Sequence, residues 1–106
     1  MEQGYLLRIY VGESDKEDGM PLYEWIVRRA KQEKLAGATA FRAIEGYGSH
    51  SRIHTAKILQ LSTDLPVVIE IIDLADKIEA FLPIIEPVIH GGLITREKIE
   101  MRIAQR

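Results

Sequence analysis

The chain has 106 residues, 46% of them hydrophobic and 28% charged, which suffices for one hydrophobic core but not for two. It contains no cysteine, so disulfide frameworks, CxxC redox motifs, cysteine zinc sites and cysteine nucleophiles are excluded together, as suits a cytoplasmic protein. With 14 basic against 16 acidic residues the net charge is −2, which argues against a nucleic-acid or anionic-membrane binder that relies on overall charge.

The start, Met1-Glu2-Gln3-Gly4, shows no basic n-region or cleavage site, so no signal peptide is expected. Residues Tyr5 to Val11 then alternate, Leu7, Ile9 and Val11 on one face and Leu6, Arg8 and Tyr10 on the other, as in a strand. A polar loop is expected from Gly12 to Gly19. Pro21 suits the first position of a helix, where its missing N–H costs nothing, and Leu22, Ile26 and Ala30 with Trp25 recur at helical spacing as far as Leu35. Gly37 reads as the stop of that helix. A second strand is expected from Ala38 to Tyr47, entering the turn Glu45-Gly46-Tyr47-Gly48.

After a long loop, Pro66 stands at the edge of a third apolar run, Val67 to Ile72. Asp73 is placed to cap a second helix with Leu74, Ile78, Phe81/Leu82 and Ile85 on one stripe. Pro83 inside it costs the bond to the carbonyl of Glu79, so a kink or an early end is expected. Beyond His90-Gly91-Gly92 the pattern gives a strand at Leu93-Ile94, a turn at Thr95 to Lys98 and a last alternating piece at Ile99, Met101 and Ile103, read as one bulged strand or two short ones. No apolar run reaches the ~18 residues that span a bilayer.

This order predicts one α+β domain over residues 1–106: a ferredoxin-like βαββαβ sandwich with a short extra C-terminal strand and both helices on one face of the sheet. The uncovered face carries Leu6, Tyr10, Val68 and Ile72 beside Arg8 and Glu70. Apolar surface of that kind marks an interface, and a homo-oligomer closed on its sheet faces is expected.

The segment Ser49-His50-Ser51-Arg52-Ile53-His54-Thr55-Ala56-Lys57 is the most distinctive feature, because it holds two histidines, an arginine and a lysine with no acidic residue before Asp64, in a slightly acidic chain. It reads either as a solvated tip that protects a strand edge or as a ligand or partner loop, and its length favours binding. Gly46 and Gly48 before it allow close backbone approach to an anion, and equally a tight strand exit. His50 and His54 stand four apart without a third metal ligand at a suggestive spacing. His90 reads first as a helix cap, with Gly91 or Gly92 in the left-handed conformation. No carboxylate pair, activated nucleophile or GxxxxGK[ST] loop is found, so no catalytic residues are assigned.

With these elements in order, the chain resembles the PII-like (GlnB-like) signalling proteins, and within them the small uncharacterised DUF190/UPF0166 group. Val11-Gly12-Glu13-Ser14-Asp15-Lys16 and Gly19-Met20-Pro21-Leu22-Tyr23-Glu24 are similar to that group's opening signature. Gly37-Ala38-Thr39-Ala40-Phe41-Arg42 and Glu45-Gly46-Tyr47-Gly48 resemble the second strand and the start of the T-loop in PII proteins generally. The resemblance implies a homotrimer with a nucleotide cleft at each subunit boundary and signalling through the loop at 46–64. It implies ligand contacts from Thr39, Gly46, Tyr47, Gly48, Ser49, His50, His90, Gly91, Gly92 and Arg102. The tip of the loop lacks the tyrosine that is modified in nitrogen-regulatory relatives, and the glycine turn lacks the lysine that grips a triphosphate. A smaller adenine nucleotide, AMP, ADP or a cyclic one, is therefore the expected ligand, and a membrane transporter or channel the partner implied. The alternatives are a CutA-like metal-handling trimer and a small α/β-barrel enzyme using histidine as a base.

Overall fold

Alternating apolar residues form the spine of the molecule. The computed structural model describes residues 1–47, 54–55 and 65–104, with residues 54–55 described by backbone alone. Strand β1 (Glu2–Gly12) buries Leu7, Ile9 and Val11 on one face, and β7 (Pro66–Leu74) buries Val67, Ile69, Ile71 and Asp73 on the same side. These two strands form the centre of a four-stranded sheet in the order β4-β7-β1-β8, where β4 is Gly37–Arg42 and β8 is Leu93–Met101. Every pairing is antiparallel. Helices α1 (Leu22–Gln32) and α2 (Ala75–Ile85) cover the inner face through Leu22, Ile26 and Ala30 and through Ile78, Phe81 and Ile85, as their spacing predicts.

The loop expected between Gly12 and Gly19 contains a small hairpin, β2 (Lys16–Glu17) and β3 (Met20–Pro21). Its two-residue turn is Asp18-Gly19, with φ of 53° and 76°, the two positive values that a type I′ turn requires. The indole N–H of Trp25 donates to Asp18 Oδ2 at 3.1 Å and pins this hairpin to α1. Pro21 precedes the helix rather than opening it, and Leu22 N–H donates to the carbonyl of Asp15 at 2.7 Å.

Gly37 does not stop α1; it opens β4. The helix ends at Lys34, held left-handed at φ 62°, where Lys34 N–H donates to the Lys31 carbonyl and Leu35 N–H to the Ala30 carbonyl, both at 3.0 Å. This Schellman arrangement satisfies the last carbonyls and turns the chain three residues sooner than expected.

Asp73 likewise differs from expectation. Leu74 occupies the cap position of α2 and no side chain caps that helix. Asp73 ends the inward-facing row of β7, only 3% exposed, and its carboxylate accepts from Ala36 N–H at 2.8 Å and Leu74 N–H at 2.7 Å. It therefore ties the α1–β4 connection to the sheet. Asp73→Ala leaves Ala36 N–H unpaired in the interior and is expected to destabilise the chain by about 1–3 kcal/mol in urea unfolding, with Asp73→Asn recovering part of the loss. An unchanged midpoint for the alanine variant would remove this role.

Pro83 does not end α2, which continues to Ile85 and passes into a 3₁₀ turn, Glu86–Val88. The bond lost at the Glu79 carbonyl is offset by tertiary packing, since Phe81 and Ile85 on either side of Pro83 are both buried.

The C-terminal part also requires correction. Residues Thr95 to Lys98 form no turn: β8 pairs with β1 in one unbroken register from Tyr10↔Leu93 to Glu2↔Met101, with neither bulge nor extra strand among the described residues. Its polar residues find cross-strand and cross-layer partners. Glu97 pairs with Arg8, while Arg96 bonds Glu79 of α2 and stacks over Tyr5 at 4.4 Å from the ring centroid.

On the outer face the register sets side chains in rows across the strands. Phe41, Val68, Tyr10 and Leu93 form an apolar row, and Thr39, Glu70, Arg8 and Thr95 form the next. Arg8 Nε donates to Glu70 Oε2 at 3.0 Å and Arg8 Nη1 to Glu97 Oε1 at 2.5 Å. These hydrogen bonds, Glu70 first and Glu97 second, raise the guanidinium pKa above its ordinary value. A raised pKa contributes stability below the unfolded value and loses it only as pH climbs past the folded one. The cation at the centre of this face is thus insensitive to pH near neutrality.

Candidate functional site

The register of β1 decides which loops share an end of the sheet. Gly12 faces Pro66 at the start of β7, Arg42 at the end of β4 faces Val67, and Tyr10 faces Leu93 at the start of β8. The base of the basic loop and the glycine turn before β8 therefore lie at the same end of the molecule. The strands they adjoin, β4 and β8, are the opposite edges of the sheet, three strand spacings or about 14 Å apart.

At the β4 edge the expected long second strand is divided. Phe41 and Arg42 finish β4, Ala43 and Ile44 cross over, and Glu45–Gly46 form a separate strand β5 that pairs with β6 (His54–Thr55). Ala43 N–H donates to the Pro66 carbonyl at 2.9 Å, a bond that turns the chain out of the main sheet. A Cβ at Gly46 would stand 3.0 Å from Pro66 Cγ, so the loop base packs against this proline. Tyr47 is 70% exposed. Gly48, Ser49 and His50, with the rest of the basic segment apart from the backbone of residues 54–55, lie outside the described residues.

At the β8 edge, Gly91 adopts φ 74°, the left-handed conformation expected of this turn. Gly92 is required for a different reason: a Cβ there would come 2.6 Å from the Tyr10 carbonyl oxygen and 2.8 Å from Ile89 Cγ2. His90 is exposed and lies past the 3₁₀ turn, two residues beyond its end at Val88, so it is not in the last turn of α2, where the capping reading put it.

Thr39 and Arg102 are placed elsewhere. Thr39 lies in mid-strand on the outer face opposite Glu70, and Arg102 follows β8 at the far end, roughly 30 Å along the strand from Leu93. Within one chain the fold does not bring either to the glycine turns.

Sequence reasoning overlooked two side chains at this end. Arg42 and Glu13 form an ion pair of 2.5 Å, and Glu13 N–H donates to the Leu65 carbonyl at 2.8 Å. Both belong to the segments that carry the family resemblance, which was the available signal. Arg42 remains 61% exposed in its side chain, a cation beside the loop base with room to meet an anion.

A four-stranded antiparallel sheet in this order, backed by two helices and extended by a loop between its second and third main strands, is the PII-like fold. Two solved structures of CPII, a nitrogen regulatory PII-like protein from Thiomonas intermedia K12, superpose on it. The one bound to ADP and bicarbonate gives a TM-score of 0.66 at 17% identity over 92% of this chain and 86% of that one. The one bound to ADP, AMP and bicarbonate gives 0.67 at 16% identity over 94% and 96%.

The chain belongs to the DUF190 family, described as uncharacterized ACR, COG1993, whose model matches residues 4–101. A UPF0166 protein of Aquifex aeolicus (strain VF5) is 48% identical over 96 residues, 91% of this chain and 90% of that protein. A UPF0166 protein of Methanocaldococcus jannaschii is 38% identical over 95 residues, 89% and 87% of the two chains.

Proposed function

We propose that this protein is a PII-like regulator that binds a small adenine nucleotide in clefts between the subunits of a homotrimer and signals through the loop at 46–64. The observation that carries the proposal is that Gly46, packed on Pro66 at the start of β7, and the Gly91-Gly92 turn before β8 lie at the same end of the sheet. With β1 lying between β7 and β8, the two segments are not neighbours within one subunit. If the β4 edge of one subunit meets the β8 edge of the next, Gly46 and Tyr47 face His90, Gly91 and Gly92 across the boundary. Thr39 on the outer face then borders the same junction, and Arg102 joins it only where a neighbouring subunit supplies that end of β8.

The chemistry is that of anion capture. Backbone N–H groups at the glycine turns and the Arg42 guanidinium would hold phosphate oxygens, each charge-assisted bond contributing ~1.5–3 kcal/mol, while Tyr47 offers a ring for the adenine. The binding of ADP and AMP by CPII, a protein of the same fold, supports this ligand class. Its bicarbonate makes a small carboxylate-like anion a reasonable second effector to test. Ligand would order the loop, and the ordered loop would select a target; a membrane transporter or channel facing the cytoplasm is the partner proposed.

Differential scanning fluorimetry with AMP, ADP, ATP, cyclic AMP and cyclic di-AMP tests this reading. At a hundred times its dissociation constant a nucleotide stabilises the native state by about 2.7 kcal/mol, a clear rise in Tm. Gly92→Val, which forces the turn off Tyr10, is expected to abolish the response. No stabilisation by any of the five at millimolar concentration sinks the proposal. A dimer by light scattering would favour the barrel-enzyme alternative, and copper or zinc binding lost in the double variant His50→Ala, His54→Ala would favour the CutA-like one.

A further inference from the structure

On the helical face, away from the open sheet face, two depressions of about 220 Å³ and 240 Å³ meet at Leu35. One reaches α2 through Ala80, Phe81 and Ile84, and the other runs from Val27 of α1 to Ala38 of β4. Leu35 is held between them by the Schellman turn at Lys34, so the ridge that joins the two is fixed by backbone hydrogen bonds. Each depression has room for an aliphatic or aromatic side chain.

The charges around this groove are unbalanced. Lys31 and Lys77 line it, and neither has an ion-pair partner among the described residues. The carboxylate in its wall, Glu33, is bound to Arg29 at 3.1 Å, and Glu79 of α2 is bound to Arg96. An apolar floor between two uncompensated cations is complementary to an acidic segment with apolar side chains. This chain's own basic segment at 49–57 has the wrong sign to fill it.

We infer that this groove docks an acidic, amphipathic peptide segment of a partner protein, with two apolar side chains seated on either side of Leu35 and carboxylates reaching Lys31 and Lys77. The surface lies on the helical side, away from the outer sheet face and from the Arg42 end of β4 where the proposed nucleotide site begins.

The test uses the full chain and a short fluorescein-labelled peptide of leucines spaced on one helical face with glutamates between them, together with the same peptide carrying lysines instead. Anisotropy is expected to report binding of the acidic peptide only, with amide shift changes in NMR at Leu35, Ala36, Ala80 and Ile84. The double variant Lys31→Glu, Lys77→Glu is expected to weaken binding at least about tenfold. Exposed Ala80→Glu, which fills the groove with the wrong charge, should abolish it, and both variants should keep the native oligomer and its nucleotide-induced Tm shift. Equal binding of both peptides, undiminished binding to the variants, or shift changes confined to the sheet face would each overturn the inference. A nucleotide response lost from wild type while the peptide still binds would instead count against the nucleotide reading alone.

Discussion

Phe81→Ala is expected to lower the unfolding free energy by about 3–5 kcal/mol, the largest loss from any single core truncation among the described residues. Phe81 is only 1% exposed and is the largest side chain that the structure buries completely. It also sits in an element with little intrinsic support. Helix α2 has no side-chain cap, no basic residue in its last turn and a proline inside it, which costs ~3 kcal/mol relative to alanine in an ordinary helix interior. Packing of Ile78, Phe81 and Ile85 on the sheet is what holds such a helix, so removing the central anchor should unfold it as well as leave a cavity. Urea titration at fixed protein concentration measures the effect, with Leu82→Ala, half-buried on the flank, as a milder reference. A loss below about 1 kcal/mol for Phe81→Ala would show that the helix is held by something other than its buried stripe.

Val68→Asp is expected to dissociate the assembly, and with it to remove the nucleotide response. Val68 stands at the middle of the apolar row on the outer face, paired with Tyr10 on one side and Phe41 on the other. Phe41 is 50% exposed and Leu93 57% exposed in the isolated chain, so this row offers continuous apolar surface for another subunit. A carboxylate there lies one row from Glu70, whose charge is already engaged by Arg8. Closing the interface would then bury an unpaired charge at a cost of several kcal/mol. Sedimentation should show the wild-type oligomer and a monomeric variant with native circular dichroism. An unchanged oligomer would mean that the open sheet face is not the interface, and it would remove the boundary on which the proposed cleft depends. Lys77→Asp, on the helical face, serves as the control and should leave the assembly intact.

Much of the fold could be read from periodicity. Leu7, Ile9 and Val11 at spacing two, and Leu22, Ile26 and Ala30 at spacing four, specify which face each element buries whatever it packs against. The Asp18-Gly19 hairpin was also legible, because the dipeptide is a strong type I′ signal, but the polar run around it drew a loop assignment. The Thr95 to Lys98 run misled for the opposite reason. Four polar residues look like a turn in isolation, yet two of them, Arg96 and Glu97, find partners in Glu79, Tyr5 and Arg8 that only the assembled sheet and helix supply.

The candidate site divides in the same way. The family, the helix and strand faces and the glycines at 46, 91 and 92 are legible in the chain alone, because each depends on residues close together in it. That the Asp73 carboxylate reaches Ala36 N–H, 37 positions away in sequence, as well as the neighbouring Leu74 N–H, follows from the tertiary fold alone. The same holds for placing Gly46 and Gly92 at one end of the sheet and Arg102 at the other. Those outcomes depend on the register of β1 against β7 and β8. Register is a property of pairings between distant segments, and no local pattern carries it.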